Sequence, residues 1–311
     1  MRAQLSVGVA TFGAEPEGGW RSLLDLARAL DDAGIDRLVV PDHVVLGDHV
    51  DRYPWGRFPT SSQADWLEPL ATIAAMAAAT ERIRFMTGIL VAPLRPAVLL
   101  AKQAATIDVL SGGRLDLGVG VGWQPEEFAA AGVPFAQRGR LLDDGIAACR
   151  TLWAGGPLDV PLGDDAEDAD GPTRVWCSPT PVQEPLPVWF SGTVTDRLVR
   201  RIAELGDGWI PIMGATVGDV ADGVARLRGA LADAGRDPAR LQVRASPALV
   251  RDAPNGPADV DATLAATQDL VAAGATDVHV PLRAFAMGPD AGAMADAAHR
   301  LAAAFARAQA T

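Results

Sequence analysis

The chain has 311 residues, 49% of them hydrophobic, and carries 27 basic against 39 acidic side chains for a net charge of −12. That length admits one large barrel or two ordinary domains, and the acidic balance excludes nucleic acid and anionic membrane as partners of the whole surface. No run of about 18 apolar residues could span a bilayer, the start "MRAQLSVGVATFG" lacks the pattern of a secretory signal, and Cys149 and Cys177 are too few for a disulfide framework, so a cytoplasmic location is expected.

Along the chain, short apolar runs alternate with helical patterns. The first run is "LSVGVATF" (5–12), followed by Trp20, Leu23, Leu24, Ala27 and Leu30 at helical spacing and a stop at Ala33-Gly34. The second, "DRLVVPDH" (36–43), leads into an insertion, residues 44–66, whose Tyr53, Trp55, Phe58 and Trp66 mark it as a segment that folds over something. "RIRFMTGILV" (82–91) is third, with a helix from Val98 to Leu110 ended by Ser111-Gly112-Gly113. "RLDLGVGVG" (114–122) is fourth, with a helix from Arg138 to Trp153. Residues 154–186, containing "GDDAEDADGPT" and "SPTPVQEPLP", form a long excursion of the kind that often serves as a lid. Then come "LPVWFSG" (186–192), "DGWIPI" (207–212), "RLQVRAS" (240–246) and "TDVHVPL" (276–282), with helices at 196–204, 217–234 and 261–273. Eight strand-then-helix units with nearly continuous apolar strands predict an α/β fold, a (β/α)₈ TIM barrel, in which residues 1–311 form a single domain with insertions after strands two and four.

In such a barrel the site lies at the C-terminal ends of the strands. Strand two ends in Asp42-His43, strand three in Thr87-Gly88-Ile89, strand four in Gly118, Gly120, Gly122 and Trp123, and strand five in Ser191-Gly192-Thr193-Val194-Thr195. The glycines do not fit a dinucleotide-binding turn, because the third glycine of that pattern falls on Trp123 or on Pro125. They either relieve crowding within the sheet or leave bare backbone for a flat ring. His43 is the candidate for proton chemistry, and Asp42 either orients its ring or starts the loop. His279 lies within strand eight and is read as core, since the register that decides which way it points is not fixed. "VGVATFG" offers no metal ligand, no metal site is expected, and Lys102 sits inside a helix, which sets Schiff-base chemistry aside. "SGTVTD" is suited to phosphate at a helix start, or Thr195 is an ordinary N-cap; one residue can do both.

The stretch from Thr80 to Trp153, with "PDH" upstream and "SPTPVQEPLPVWFSG" and "ELGDGWIP" downstream, resembles the bacterial-luciferase-like oxidoreductases, most closely the branch that uses the deazaflavin coenzyme F420. The resemblance implies a barrel, a homodimer, and a deazaflavin or flavin ring at the strand mouths. It further implies a non-prolyl cis peptide at Gly88-Ile89, with Thr87 before it. Asp42 and His43 match the pair beside the ring's reactive edge; Gly120, Gly122 and Trp123 match the end of strand four; Ser191, Gly192, Thr193 and Thr195 match the phosphate-contacting loop. The sugar-phosphate dehydrogenase branch carries a glutamate where this chain has Val121, which argues against a sugar-phosphate substrate, although Glu126 or Glu127 could still reach the site.

The reading these residues favour is an F420-dependent oxidoreductase that transfers a hydride between the deazaflavin C5 and a small organic substrate, with His43 moving the accompanying proton. The alternatives are an FMN-dependent monooxygenase supplied by a partner reductase and, from another class, a non-catalytic flavin- or F420-binding protein.

Overall fold

The structure, a computed structural model, describes residues 2–161, 173–253, 256–288 and 290–309. Eight parallel strands close on themselves: β1 (Gln4–Gly8), β2 (Arg37–Val40), β3 (Arg84–Thr87), β4 (Leu115–Gly120), β5 (Val188–Ser191), β6 (Gly208–Ile210), β7 (Gln242–Ala245) and β8 (Asp277–Pro281). Neighbours in sequence are neighbours in the sheet. The ring is completed by β8 against β1 and by β5 against β4, where Trp189 stands level with Gly118. Around it run α1 (Ser22–Asp32), α2 (Pro69–Ala78), α3 (Ala97–Ser111), the short α4 (Pro125–Ala130), α5 (Arg138–Trp153), α6 (Asp196–Leu205), α7 (Val217–Asp233), α8 (Val260–Ala265), α9 (Thr267–Ala272) and α10 (Ala291–Ala308). The architecture is the (β/α)₈ barrel that the apolar runs predict.

Strand alternation sorts the residues into two cores. Leu5, Val7, Leu38, Val40, Phe85, Leu117, Val119, Val188, Phe190, Val243, Val278 and Val280 face outward and join the helices in one large apolar cluster. Val39, Met86, Trp189 and Ile210 form a second, small cluster inside the barrel, with Ile89 packed on it. Below it, toward the N-terminal ends of the strands, the interior is ionic. Asp116 accepts from Arg37 Nε at 2.9 Å and from Arg84 Nε and Nη2, each at 2.9 Å. Arg37 also pairs with Asp277 and donates to Gln4 Oε1 at 2.9 Å, while the Ser6 hydroxyl donates to Asp277. Burial works to raise the Asp116 pKa, but Arg37 and Arg84 outweigh it and hold the carboxyl below its ordinary value.

Local signals act where the sequence places them. α3 ends on Gly112, whose left-handed φ of 67° suits a residue without Cβ. α6 opens on Thr195, whose hydroxyl accepts from the Leu198 amide at 3.3 Å. Two expectations need correction. The helix expected over 261–273 is broken into α8 and α9, where the Thr267 hydroxyl donates to the Leu264 carbonyl at 2.6 Å and competes with the helical ladder. The run 82–91 is not one strand: β3 stops at Thr87, and Leu90–Val91 pairs again with β4 at Val119 and Gly120. The first insertion is tied down by Asp65–Trp66, which pairs antiparallel with Phe12–Gly13. The second forms a two-stranded ribbon, Leu158–Val160 against Thr173–Val175; residues 162–172, at the centre of the expected excursion, lie outside the described residues. No helix among the described residues is long and apolar enough to cross a membrane.

Candidate active site

β2 delivers Pro41, Asp42 and His43 to the mouth of the barrel, and β4 delivers Trp123, Gln124 and then α4, which carries Glu127. Glu127 is fully buried, and its carboxylate accepts from His43 Nδ1 at 3.0 Å and from the Val44 amide at 2.7 Å. With the Nδ1 proton on Glu127, Nε2 carries the free lone pair, and the Trp123 indole N–H approaches it at 3.4 Å. The aromatic insertion closes over this ring: Trp66 and Phe58 stand edge-on to it at 4.8 and 5.6 Å, and Tyr53 packs on Phe58 and Trp123. Gln124 Oε1 holds the insertion's Gly47 amide at 2.9 Å. The segment expected to fold over something folds over His43.

His43 is oriented by Glu127 and not by Asp42. Both oxygens of Asp42 go to Arg95, at 2.7 and 3.0 Å, and one of them also accepts from the Val91 amide at 2.8 Å. Arg95 in turn reaches Glu68. Asp42 therefore anchors the chain just beyond Ile89, a geometry that sequence adjacency to His43 does not reveal.

The peptide Gly88-Ile89 is cis. The glycines of β4 and of the turn after it pack against this segment. A Cβ on Gly118 would stand 2.1 Å from the Thr87 carbonyl oxygen, one on Gly120 would stand 2.8 Å from Ile89 Cδ1, and one on Gly122 would meet Val91 and Phe128 at 2.7 and 2.8 Å. The Thr87 hydroxyl donates to the Gly118 carbonyl at 2.7 Å. Crowding by the protein's own chain, the first of the two readings of the glycine run, is observed: residues 87–91 pack against the bare backbone at the end of β4.

Where β5 ends, Ser191 and Gly192 are half-buried and Thr193 and Thr195 exposed. Gly192 adopts φ 149°, its amide donates to Ile210 and its carbonyl accepts from Trp209 Nε1 at 2.9 Å. Beside this loop Arg226 donates to the Val194 carbonyl and pairs with Asp196.

Two inward-facing groups escape the sequence reading. Arg244 on β7 points into the barrel, and so does His279 on β8, which sequence alone left as core. Both reach the mouth because Gly8 and Gly88 have no side chains: a Cβ on Gly8 would lie 3.1 Å from His279 Cε1, and one on Gly88 would lie 3.0 Å from Arg244 Nη1. The signal that would have found them is parity, since His279 shares the inward face with Asp277. Among the described residues, no group of three or more His, Cys, Asp or Glu side chains is placed to hold a metal ion.

Comparison with known proteins places these features in context. The family model for luciferase-like monooxygenases matches residues 4–310. An uncharacterized protein of Mycobacterium tuberculosis is 34% identical over 191 residues, which make up 60% of this chain and 64% of that protein. An F420-dependent glucose-6-phosphate dehydrogenase of Amycolatopsis mediterranei is 31% identical over 199 residues, 62% of this chain and 53% of that one. Among solved structures, an F420-dependent secondary alcohol dehydrogenase in complex with an F420-acetone adduct superimposes with a TM-score of 0.73 at 16% identity, covering 98% of this chain and 99% of the other; at that identity the likeness is one of fold.

Proposed function

Because the chain belongs to the luciferase-like monooxygenase family, we propose that it is an F420-dependent oxidoreductase acting on a small organic substrate, with His43 as its proton-transfer residue. The observation that carries this reading is the Glu127–His43 pair. A carboxylate on Nδ1 fixes the tautomer and aims Nε2, the nitrogen able to take up or give a proton, past Trp123 at the mouth. The polar set fits a heteroaromatic ring: His43 and His279 offer ring nitrogens and Arg244 a guanidinium with no carboxylate partner among the described residues, all carried by barrel strands or their ends. Bound F420 would supply a carbon that accepts or gives a hydride.

The chain's own residues bind, orient and exclude water. Trp66, Phe58 and Trp123 wall the imidazole from solvent and leave it 9% exposed, which strengthens its hydrogen bonds. Asp42 is a positioning residue, acting through Val91 and Arg95 on the chain that follows Ile89. Ser191, Gly192, Thr193 and Thr195 are the residues proposed to receive a phosphate, at the start of α6. The relative named as F420-dependent supports this cofactor, and Val121 in place of a glutamate supports a substrate other than a sugar phosphate. A homodimer in the cytoplasm completes the proposal.

Fluorescence titration of the protein with F420 and separately with FMN tests it. Micromolar or tighter binding of F420 with hydride-transfer turnover is expected. Preference for FMN with oxygen-dependent turnover would make the protein a two-component monooxygenase served by a reductase. Tight binding without turnover across a substrate panel would make it a carrier.

A further inference from the structure

Arg244 has an environment that packing alone does not explain. Its side chain is buried, 8% exposed, and its one hydrogen-bonding contact among the described residues is Met86 Sδ at 3.3 Å. Asp277, level with it on the neighbouring strand, is committed to Arg37 and Ser6. Burial, with Arg37 adding to it, pulls the guanidinium pKa down to about 9, so the group remains a cation at neutral pH. A buried cation without a counter-charge is costly unless hydrogen bonds satisfy it, and the Arg244 guanidinium is free to donate further hydrogen bonds.

His279 stands one inward position beyond Asp277. Ser6 Oγ lies 3.2 Å from its Nδ1. The Ser6 hydroxyl has a single proton and donates it to Asp277, so its oxygen accepts from Nδ1–H, and Nε2 is left as an acceptor. Burial, Arg244 and Arg37 hold this imidazole well below its ordinary pKa, which keeps it neutral and Nε2 unprotonated. Nε2 has no hydrogen-bond partner among the described residues, and it lies 3.2 Å from where a Cβ of Gly8 would stand.

The mouth therefore presents a strong donor on β7 beside a neutral acceptor on β8. A cyclic imide edge presents the complement, a carbonyl oxygen beside a ring N–H. We propose that Arg244 and His279 together recognise the imide edge of the bound ring, Arg244 donating to a carbonyl oxygen and His279 Nε2 accepting from the ring N–H. This inference rests on the deazaflavin or flavin reading of the site, since both rings carry that edge.

The test is binding, not turnover. Wild type, Arg244→Met, Arg244→Lys, His279→Phe and His279→Gln are titrated with whichever cofactor wild type binds, and with 5-deazariboflavin and its N3-methyl derivative. Wild type should bind the methylated ring at least tenfold more weakly. His279→Phe should erase that preference, and His279→Gln, which keeps an acceptor, should restore part of it. Arg244→Met should weaken both rings on the order of 30-fold or more, with Arg244→Lys intermediate, while its thermal unfolding midpoint does not fall. Equal binding of the two rings by wild type, or wild-type affinity in Arg244→Met, would overturn the inference and leave the cofactor reading standing. No ring binding by wild type would overturn both.

Discussion

At the N-terminal end of the barrel Arg37, Arg84, Asp116 and Asp277 stand in a network where each charge has an opposite partner, and Gln4 and Ser6 take further hydrogen bonds. At the C-terminal end, above the Val39, Met86, Trp189 and Ile210 layer, Arg244 has no carboxylate and His279 Nε2 no hydrogen-bond partner among the described residues. The same eight strands build both ends, so the difference lies in what completes each one. The lower end is completed by the chain itself, and substitutions there should cost stability. On the proposed reading a ligand completes the upper end, and substitutions there should cost binding and turnover.

The largest expected effect is at the mouth. His43→Ala should lower kcat by about 10²- to 10⁴-fold, the usual contribution of a positioned acid-base group, with cofactor affinity nearly unchanged; steady-state kinetics beside a cofactor titration separates the two. Full turnover in that variant would remove His43 from the mechanism. The matching change at the lower end, Asp116→Ala, leaves Arg37 and Arg84 short of a buried partner and should destabilise the fold by about 3–5 kcal/mol, read by urea unfolding. If it instead lowered cofactor affinity in a fully stable protein, the division between the two ends would fail.

Glu127→Gln sharpens the comparison within the mouth. It weakens the charged hydrogen bonds on His43 Nδ1 and the Val44 amide, so kcat should fall by about 10- to 100-fold. As a positioning residue it should also move the pH profile of kcat, which a merely structural role would leave in place. Within the glycine run, Gly118→Ala meets backbone, the Thr87 oxygen, whereas Gly120→Ala meets the end of the Ile89 side chain. Gly120→Ala should cost about 1–3 kcal/mol and Gly118→Ala more, by thermal or urea unfolding.

The last effect, which fades at low pH, concerns neither end. Asp31, at the end of α1, accepts from the amides of Glu81, Arg82 and Ile83 ahead of β3. Burial works to raise its pKa, but these amides and the Arg82 charge bring it below the ordinary carboxylate value. A folded-state pKa below the unfolded one means that the contribution is complete above the unfolded value and is lost as pH falls through the folded one. Asp31→Asn should therefore cost about 1–3 kcal/mol at neutral pH and progressively less below about pH 4, in urea unfolding at stepped pH.

Much of the fold was legible because a parallel barrel strand is buried on both faces and leaves a continuous apolar run. All eight runs became barrel strands, and Gly112 and Thr195 mark helix ends by local chemistry that needs no distant partner. His43 was legible because it follows an apolar run directly, at the strand end where loops build sites. Its partner was not, since Glu127 lies 84 residues away and nothing local separates it from Glu126. Adjacency could not choose between the two roles left open for Asp42: its carboxylate bonds Arg95 and the Val91 amide and not the neighbouring imidazole.

By itself, then, the sequence determined the order of strands and helices, the two insertions and the strand ends from which a site would be built, because periodicity and capping are properties of neighbouring residues. Only the tertiary structure decided which residues of each strand face inward, that Arg37, Arg84, Asp116 and Asp277 neutralise one another, and that Arg244 and His279 are left over at the mouth. Inward or outward is a choice of parity that a strand makes only when the barrel closes, and whether a charge is paired depends on residues brought together by that closure.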